Sequence, residues 1–160
     1  MIRKLDNINQ NVSNKILSVF QRAYTIEAKL IGANKFPPLS RTSEHIQKSA
    51  SQFYGFYTND CLSGVIEISI KDQQISIESL TVHPAYFNKG IASKLITYSL
   101  NLFKFTQAIV ETAVTNEPAI NLYKKHGFVE IKQWTPSHGI PKIAFMKKEG
   151  EVCSRLSTLT

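Results

Sequence analysis

The sequence predicts an α/β domain built on a sheet of mixed strand direction. Two observations predict it. Runs rich in β-branched and apolar residues alternate with segments of helical period, in the order strand, two helices, three antiparallel strands, helix, strand, helix, two strands. The length of 160 residues, 42% hydrophobic and 19% charged, suits one folded unit with a proper core and excludes a disordered chain. We expect residues 1–148 to form a single domain and the polar residues 149–160 to fray.

Taken in order, residues 2–5 read as a short first strand. Ser13, in a polar stretch, is a candidate cap for a helix whose face carries Ile16, Phe20, Ala23, Tyr24, Leu30 and Ile31, and which Gly32 closes. Phe36, Pro37 and Pro38 lie in a stiffened loop. Thr42 or Ser43 caps a short second helix through Gln47 and Ala50. Residues 53–58 and 62–70 are paired strands across an Asn59-Asp60 turn, with Ile66, Ile68 and Ile70 on one face of the second. Residues 75–82 form the central strand. A helix follows from Gly90, then a strand over 108–114 and a helix that has Pro118 in its first turn and ends at His126-Gly127. Residues 128–134 and 142–147 close the sheet.

The passage from the central strand into its helix is where chemistry is expected. The first N–H groups of a helix lack partners within it, and with the helix dipole they favour an anion such as phosphate. Gly90 and Ala92 leave room for a close approach, Ser93 adds a hydroxyl and Lys89 a positive charge. The bland alternative is a joint with a glycine for geometry. The strand itself changes parity. Its apolar residues sit at odd positions (Ile75, Ile77) and then at even ones (Leu80, Val82), which predicts a β-bulge near Ser79–Leu80. A bulge there splays the strand from its neighbour, so that a ligand with its own amides can pair with the exposed edge. A strand covered on both faces would give the same pattern.

Leu80-x-Val82-x-Pro84 followed by Lys89-Gly90-Ile91-Ala92 resembles the acetyl-CoA signature of the GNAT acyltransferase superfamily, commonly Gln/Arg-x-x-Gly-x-Gly/Ala. Phe87 stands where Gln or Arg is usual and Asn88 where Gly is frequent. A second stretch, Asn116-x-x-Ala119-x-x-x-Tyr123-x-x-x-Gly127-Phe128, is similar to the Asn-x-x-Ala-x-x-x-Tyr-x-x-x-Gly-Phe segment of the same superfamily, in its order and at its spacing. The resemblance implies a GNAT fold, with a mostly antiparallel sheet, a splayed central strand pair and flanking helices. It implies an N-acetyltransferase that moves an acetyl group from acetyl-CoA to a primary amine in a ternary complex, without a metal. The alternative is a GNAT-like module that binds acyl-CoA or a partner without turnover.

Carried over residue by residue, the resemblance implies that the Val82 N–H polarises the thioester carbonyl and that Leu80 and Val82 pair with the pantetheine arm. Phe87, Asn88, Lys89, Gly90, Ile91, Ala92 and Ser93 hold the pyrophosphate. Asn116 reaches the pantetheine amides or braces the splayed strands. Tyr123 is the general acid to the CoA sulfur, its alternative being a core tyrosine. Glu78, on the central strand, is the candidate base, with a surface carboxylate as its alternative. His83 adjoins the oxyanion position, its side chain open to solvent. Glu27 and Glu44 fall in the region that shapes the acceptor pocket, as holders of a cationic amine or as solvated carboxylates, and Phe36 with Pro37 and Pro38 forms one apolar wall.

The net charge is +7, but the lysines are scattered and no nucleic-acid motif accompanies them, so nucleic acid is not an expected partner. The charge suits a polyanion such as coenzyme A, or is simply a solvated surface. Two cysteines, Cys61 and Cys153, are too few and too far apart for a disulfide framework or a metal site. No run reaches the length of a membrane span, and no apolar signal segment follows Met1, so a cytoplasmic protein is expected. The acceptor is a small-molecule or peptide amine whose identity the sequence leaves open, and a homodimer is one option for its assembly.

Overall fold

The computed structural model describes residues 1–149. In chain order the elements are β1 (Ile2–Leu5), α1 (Gln10–Ile31), α2 (Ser43–Lys48), β2 (Gln52–Thr58), β3 (Cys61–Lys71), β4 (Gln74–Val82), α3 (Ile91–Leu102), β5 (Gln107–Ala113), α4 (Glu117–Lys125), β6 (Val129–Trp134) and β7 (Lys142–Lys148), with 3-10 turns at Pro37–Ser40 and Pro84–Tyr86. The strands make one seven-stranded sheet, ordered β1-β2-β3-β4-β5-β7-β6. Neighbours are antiparallel except β4 and β5, which run parallel. The mixed α/β architecture expected from the element order is therefore present. Cys153 and the expected frayed tail, from residue 150 on, lie outside the described residues.

Successive residues of β3 face opposite ways, as strand geometry requires, and so feed two cores. Ile66 and Ile68 join Ile75, Ile77, Leu95, Ile96 and Phe145. Val65 joins Ile16, Phe20, Ile46 and Phe53 under α1 and α2. Gly64 on β3 is required by the first of these contacts. A Cβ there would stand 2.6 Å from Ile91 Cγ2 and 3.2 Å from Leu95 Cδ1, where α3 seats on the sheet. Gly64→Ala is expected to lower stability by about 1–3 kcal/mol through overpacking. Urea unfolding would show a lower midpoint at unchanged slope, and an unchanged midpoint would contradict it.

Several local expectations are corrected. Asn9, not Ser13, caps α1: its side chain accepts the Val12 N–H, and the helix begins at Gln10. Ser13 is buried inside the first turns and donates back to the Gln10 carbonyl at 3.0 Å. Gly32 closes α1 in the left-handed region, as expected. Thr42 caps α2 in a capping box with His45, but the helix stops at Lys48, short of Ala50. Glu67, on the strand face alternate to Ile66 and Ile68, is buried and is gripped by Arg41 at 2.5 and 2.8 Å.

The bulge is present and is displaced by one residue. β3 and β4 pair as Ile68↔Ile77 and then as Glu67↔Ser79, which leaves Glu78 as the extra residue instead of Ser79–Leu80. Beyond it Leu80 and Val82 pack against the same core that holds Ile75 and Ile77, which is the parity change read in the sequence. β4 pairs with β5 only from Gln74↔Gln107 to Ile77↔Val110. The two strands part at the bulge.

Candidate functional site

Where β4 and β5 part, a cleft of about 280 Å³ opens. Its walls include Tyr24 and Glu27 from α1, Phe36, Pro37 and Pro38 ahead of α2, Glu78 to Leu80 from β4, Glu111 and Thr112 from β5, and Asn116 and Tyr123 from the α4 region. One wall is a strand edge. The His83 N–H donates to the Ser63 carbonyl on β3 at 2.8 Å. Peptide groups alternate along a strand, so Thr81 also turns toward β3, while Leu80 and Val82 direct their N–H and C=O groups away from it, to the side that β5 has left. The backbone groups that the resemblance assigns to a pantetheine arm and a thioester carbonyl thus lie on the open side.

The loop after β4 is shaped by backbone. His83 Nδ1 accepts the Ala85 N–H at 3.0 Å, which starts the 3-10 turn; its ring also packs on Tyr86, so the side chain has a structural task. Asn88 and Gly90 both have positive φ, 61° and 75°. Gly90 is the cap of α3 and offers no side-chain hydrogen bond to the first turn. A Cβ on it would meet nothing within 4 Å, so the space over the helix start is open. Phe87 and Lys89 are exposed, and the Lys89 ammonium lies 5.6 Å from the Tyr86 ring centre. Ile91 is buried and anchors the helix, with Ala92 beside it half-buried. Ser93 Oγ is 2.7 Å from His126 Nε2, tying α3 to the end of α4.

Asn116 is buried and committed. Its Oδ1 accepts the Ala119 N–H at 3.3 Å, and its Nδ2 donates to Glu27 Oε1 at 2.9 Å and to Thr112 Oγ1 at 3.3 Å. Its bonds join α1, β5 and the start of α4, on the β5 side of the parting. Tyr123 is 5% exposed and packs edge-on against Phe128, at 5.9 Å between centroids. Its hydroxyl makes no hydrogen bond to the described residues. Burial first, then the charge of Glu27 and the neighbouring Tyr24, push its phenol well above the usual range, so it holds its proton at neutral pH.

Glu27 is not the solvated carboxylate that was one reading of it. It is half-buried in the cleft wall, and burial raises its pKa against the smaller lowering effects of Asn116 and Lys142. Phe36 stands where expected, edge-on to Tyr24 at 5.7 Å, with Pro37 and Pro38 beside it. Glu78 lines the cleft from the bulge, is exposed, and accepts the Ser69 hydroxyl at 2.5 Å. Glu44 is not part of the site: it is exposed and pairs with Lys48 at 2.8 Å. Tyr24, Thr112 and Lys142 are site residues that the sequence reading missed. Helical spacing marks Tyr24 as core, and nothing local distinguishes it from Phe20.

Among the described residues no helix is long and apolar enough to cross a membrane, and no His, Cys, Asp and Glu side chains gather as a metal site would require. Comparison with known proteins gives three findings. A family model described as Acetyltransferase (GNAT) family matches residues 15–128. UPF0157 protein YqkA of Bacillus subtilis (strain 168) is 32% identical over 141 residues, which are 88% of this chain and 41% of that protein. The chain thus spans less than half the length of this curated relative. Among solved structures, the PaiA N-acetyltransferase from Thermoplasma acidophilum in complex with coenzyme A superposes with a TM-score of 0.77 at 18% identity, over 92% of this chain and 98% of that one. The ribosomal-protein-S18-alanine N-acetyltransferase from Escherichia coli gives 0.72 at 16%, over 92% of each. At these identities the likeness is one of fold.

Proposed function

The chain belongs to the GNAT acetyltransferase family, and from that premise we propose that it moves an acetyl group from acetyl-CoA to a primary amine by direct attack in a ternary complex. The observation that carries this reading is the parting of β4 from β5 at the Glu78 bulge, which leaves the backbone edge of Leu80 and Val82 open on the side away from β3, beside a cleft lined by Leu80 and by Tyr123, whose hydroxyl has no partner among the described residues. An extended amide-bearing arm can pair with such an edge as an added strand. A Val82 N–H aimed at the thioester oxygen would stabilise the charge that develops there. Tyr123, protonated at neutral pH, is suited to give its proton to the departing thiolate.

The pyrophosphate belongs, on this reading, at the start of α3, among residues 87–93. The open space over Gly90 and the side-chain-free cap support this, and Lys89 adds positive charge. The acceptor side is the wall made by Glu27, Phe36 and Tyr24. A carboxylate among aromatic rings suits a protonated amine on an apolar body. Residues 1–148 would act as one catalytic unit, and the reading places it in the cytoplasm with its supply of acetyl-CoA.

The test is release of free CoA thiol from acetyl-CoA by the purified protein across a panel of primary amines. Amine-dependent release supports the reading, and its absence across the panel contradicts it. Gly90→Asp probes the phosphate end. A carboxylate at the helix start would meet the pyrophosphate, and acetyl-CoA binding measured by calorimetry is expected to weaken about tenfold or more. Unchanged affinity would move the phosphate site elsewhere.

A further inference from the structure

We propose that Glu27 takes the proton from the attacking amine and that Asn116 is its positioning residue. The proposal rests on the acetyl-transfer reading above and gives to Glu27 the step for which the family resemblance offered Glu78. The cleft wall holds three carboxylates, Glu27, Glu78 and Glu111, and their surroundings differ. Glu111 is half-exposed and faces Lys142 Nζ at 3.4 Å. Glu78 projects from the bulge into solvent and is bonded to Ser69. Glu27 alone among them is half-buried with one oxygen held and one free: Oε1 accepts from Asn116, and Oε2 has no hydrogen-bond partner among the described residues.

The orientation of Asn116 is fixed by its other bonds. Because Oδ1 takes the Ala119 N–H, the amide must turn Nδ2 toward Glu27 and Thr112. The carboxylate is thereby aimed by a neutral donor rather than neutralised by a cation. The groups that face it are Tyr24 one turn earlier on α1, Asn116 and Tyr123 from the α4 region, and Lys142 on β7. A carboxylate so placed keeps a higher proton affinity than an exposed one, which suits a base.

The step balances. The ammonium gives one proton to Glu27. The neutral nitrogen forms the C–N bond at the thioester carbonyl, the C–S bond breaks, and the thiolate takes the Tyr123 proton. The phenolate recovers a proton from the acylated nitrogen, and Glu27 returns its own to solvent. Ammonium and thioester thus become amide, thiol and one released proton.

The test compares Glu27→Gln, Glu27→Asp and Glu78→Gln with the wild-type chain, using a primary amine that the wild type acetylates. Glu27→Gln is expected to lower kcat about 100-fold or more with KM for acetyl-CoA little changed, and Glu27→Asp to retain part of the rate. The wild-type kcat/KM profile should fall on acidification through a pKa above the ordinary carboxylate range, and Glu27→Gln should lose that limb. Melting gives a readout that does not depend on turnover. A raised folded pKa means that the stability of the neutral form is fully present at acid pH and is lost as pH rises through it. Glu27→Gln should therefore melt above wild type at about pH 8, with the gap closing near about pH 4. Normal kcat and an intact acid limb in Glu27→Gln, or a larger loss in Glu78→Gln, would overturn the assignment alone. Absence of wild-type turnover with every amine would overturn the reading beneath it.

Discussion

Tyr123→Phe is expected to lower kcat about 10²–10⁴-fold while leaving acetyl-CoA affinity nearly unchanged. The ring is locked by its packing against Phe128 and Phe145, so loss of one oxygen should not move the backbone. The hydroxyl has no bond to the described residues to lose, so the variant should melt within about 1 kcal/mol of wild type. Burial, Glu27 and Tyr24 all hold the phenol protonated, so the acid form is present throughout the neutral range. The rate loss should therefore be level between about pH 6 and pH 9. Pre-steady-state and steady-state thiol release with both proteins would check this. Normal turnover in the variant would remove Tyr123 from the mechanism and make it a core tyrosine.

The second large effect is on stability. Arg41→Met is expected to cost about 3 kcal/mol, because it strands the buried carboxylate of Glu67. Glu67 as a residue is 3% exposed. Arg41 grips both its oxygens, and the hydroxyls of Ser51 and Ser79 donate to it as well. The guanidinium also lies 5.5 Å from the Phe20 ring centre and 5.7 Å from that of Phe53. Because Arg41 keeps a quarter of its side chain in water, the cost should fall toward the lower end of the range for buried pairs.

The pH dependence follows from the sign of the shift. Burial pushes Glu67 up, but Arg41, Ser51 and Ser79 together hold it below the usual carboxylate range. A depressed folded pKa gives stability that is present above the unfolded value and is lost as pH falls through the folded one. The Arg41→Met deficit should thus be largest near neutral pH and shrink on acidification, as the stranded carboxylate takes a proton. A second change, Glu67→Leu, should recover most of the loss. Denaturant unfolding at about pH 7 and about pH 4 would check both, and a deficit that ignores pH would contradict the argument. Ser79 is the first residue past the bulge and pairs across from Glu67, so the same network also pins the register at which β4 leaves β5.

The bulge shows how far the sequence could be read. Ile75 and Ile77 against Leu80 and Val82 require one extra residue between them, but parity does not say which. The cross-strand register decides for Glu78, and register is set by β3, a strand away. Tyr123 and Asn116 were legible because they lie within one motif at fixed spacing. The partner of Asn116 was not, because Glu27 is 89 residues earlier and no local pattern links them. Glu67 has a partner hidden for a similar reason. Alternation on β3 marks it as the polar side, and only the fold brings Arg41 over it. At α1, Asn9 and Ser13 are both residue types that cap helices, and the structure starts the helix at Gln10 with Asn9 as its cap.

The central claim is that the parted edge of β4 receives the acyl-CoA. Residue-resolved amide hydrogen exchange, with and without coenzyme A, tests it most directly. Thr81 and His83 point to β3 and should be protected in both states. Leu80 and Val82 should exchange faster in the free protein and become protected when coenzyme A binds. Binding of coenzyme A that leaves Leu80 and Val82 unprotected would contradict the account, since the ligand would then lie somewhere other than along the opened strand.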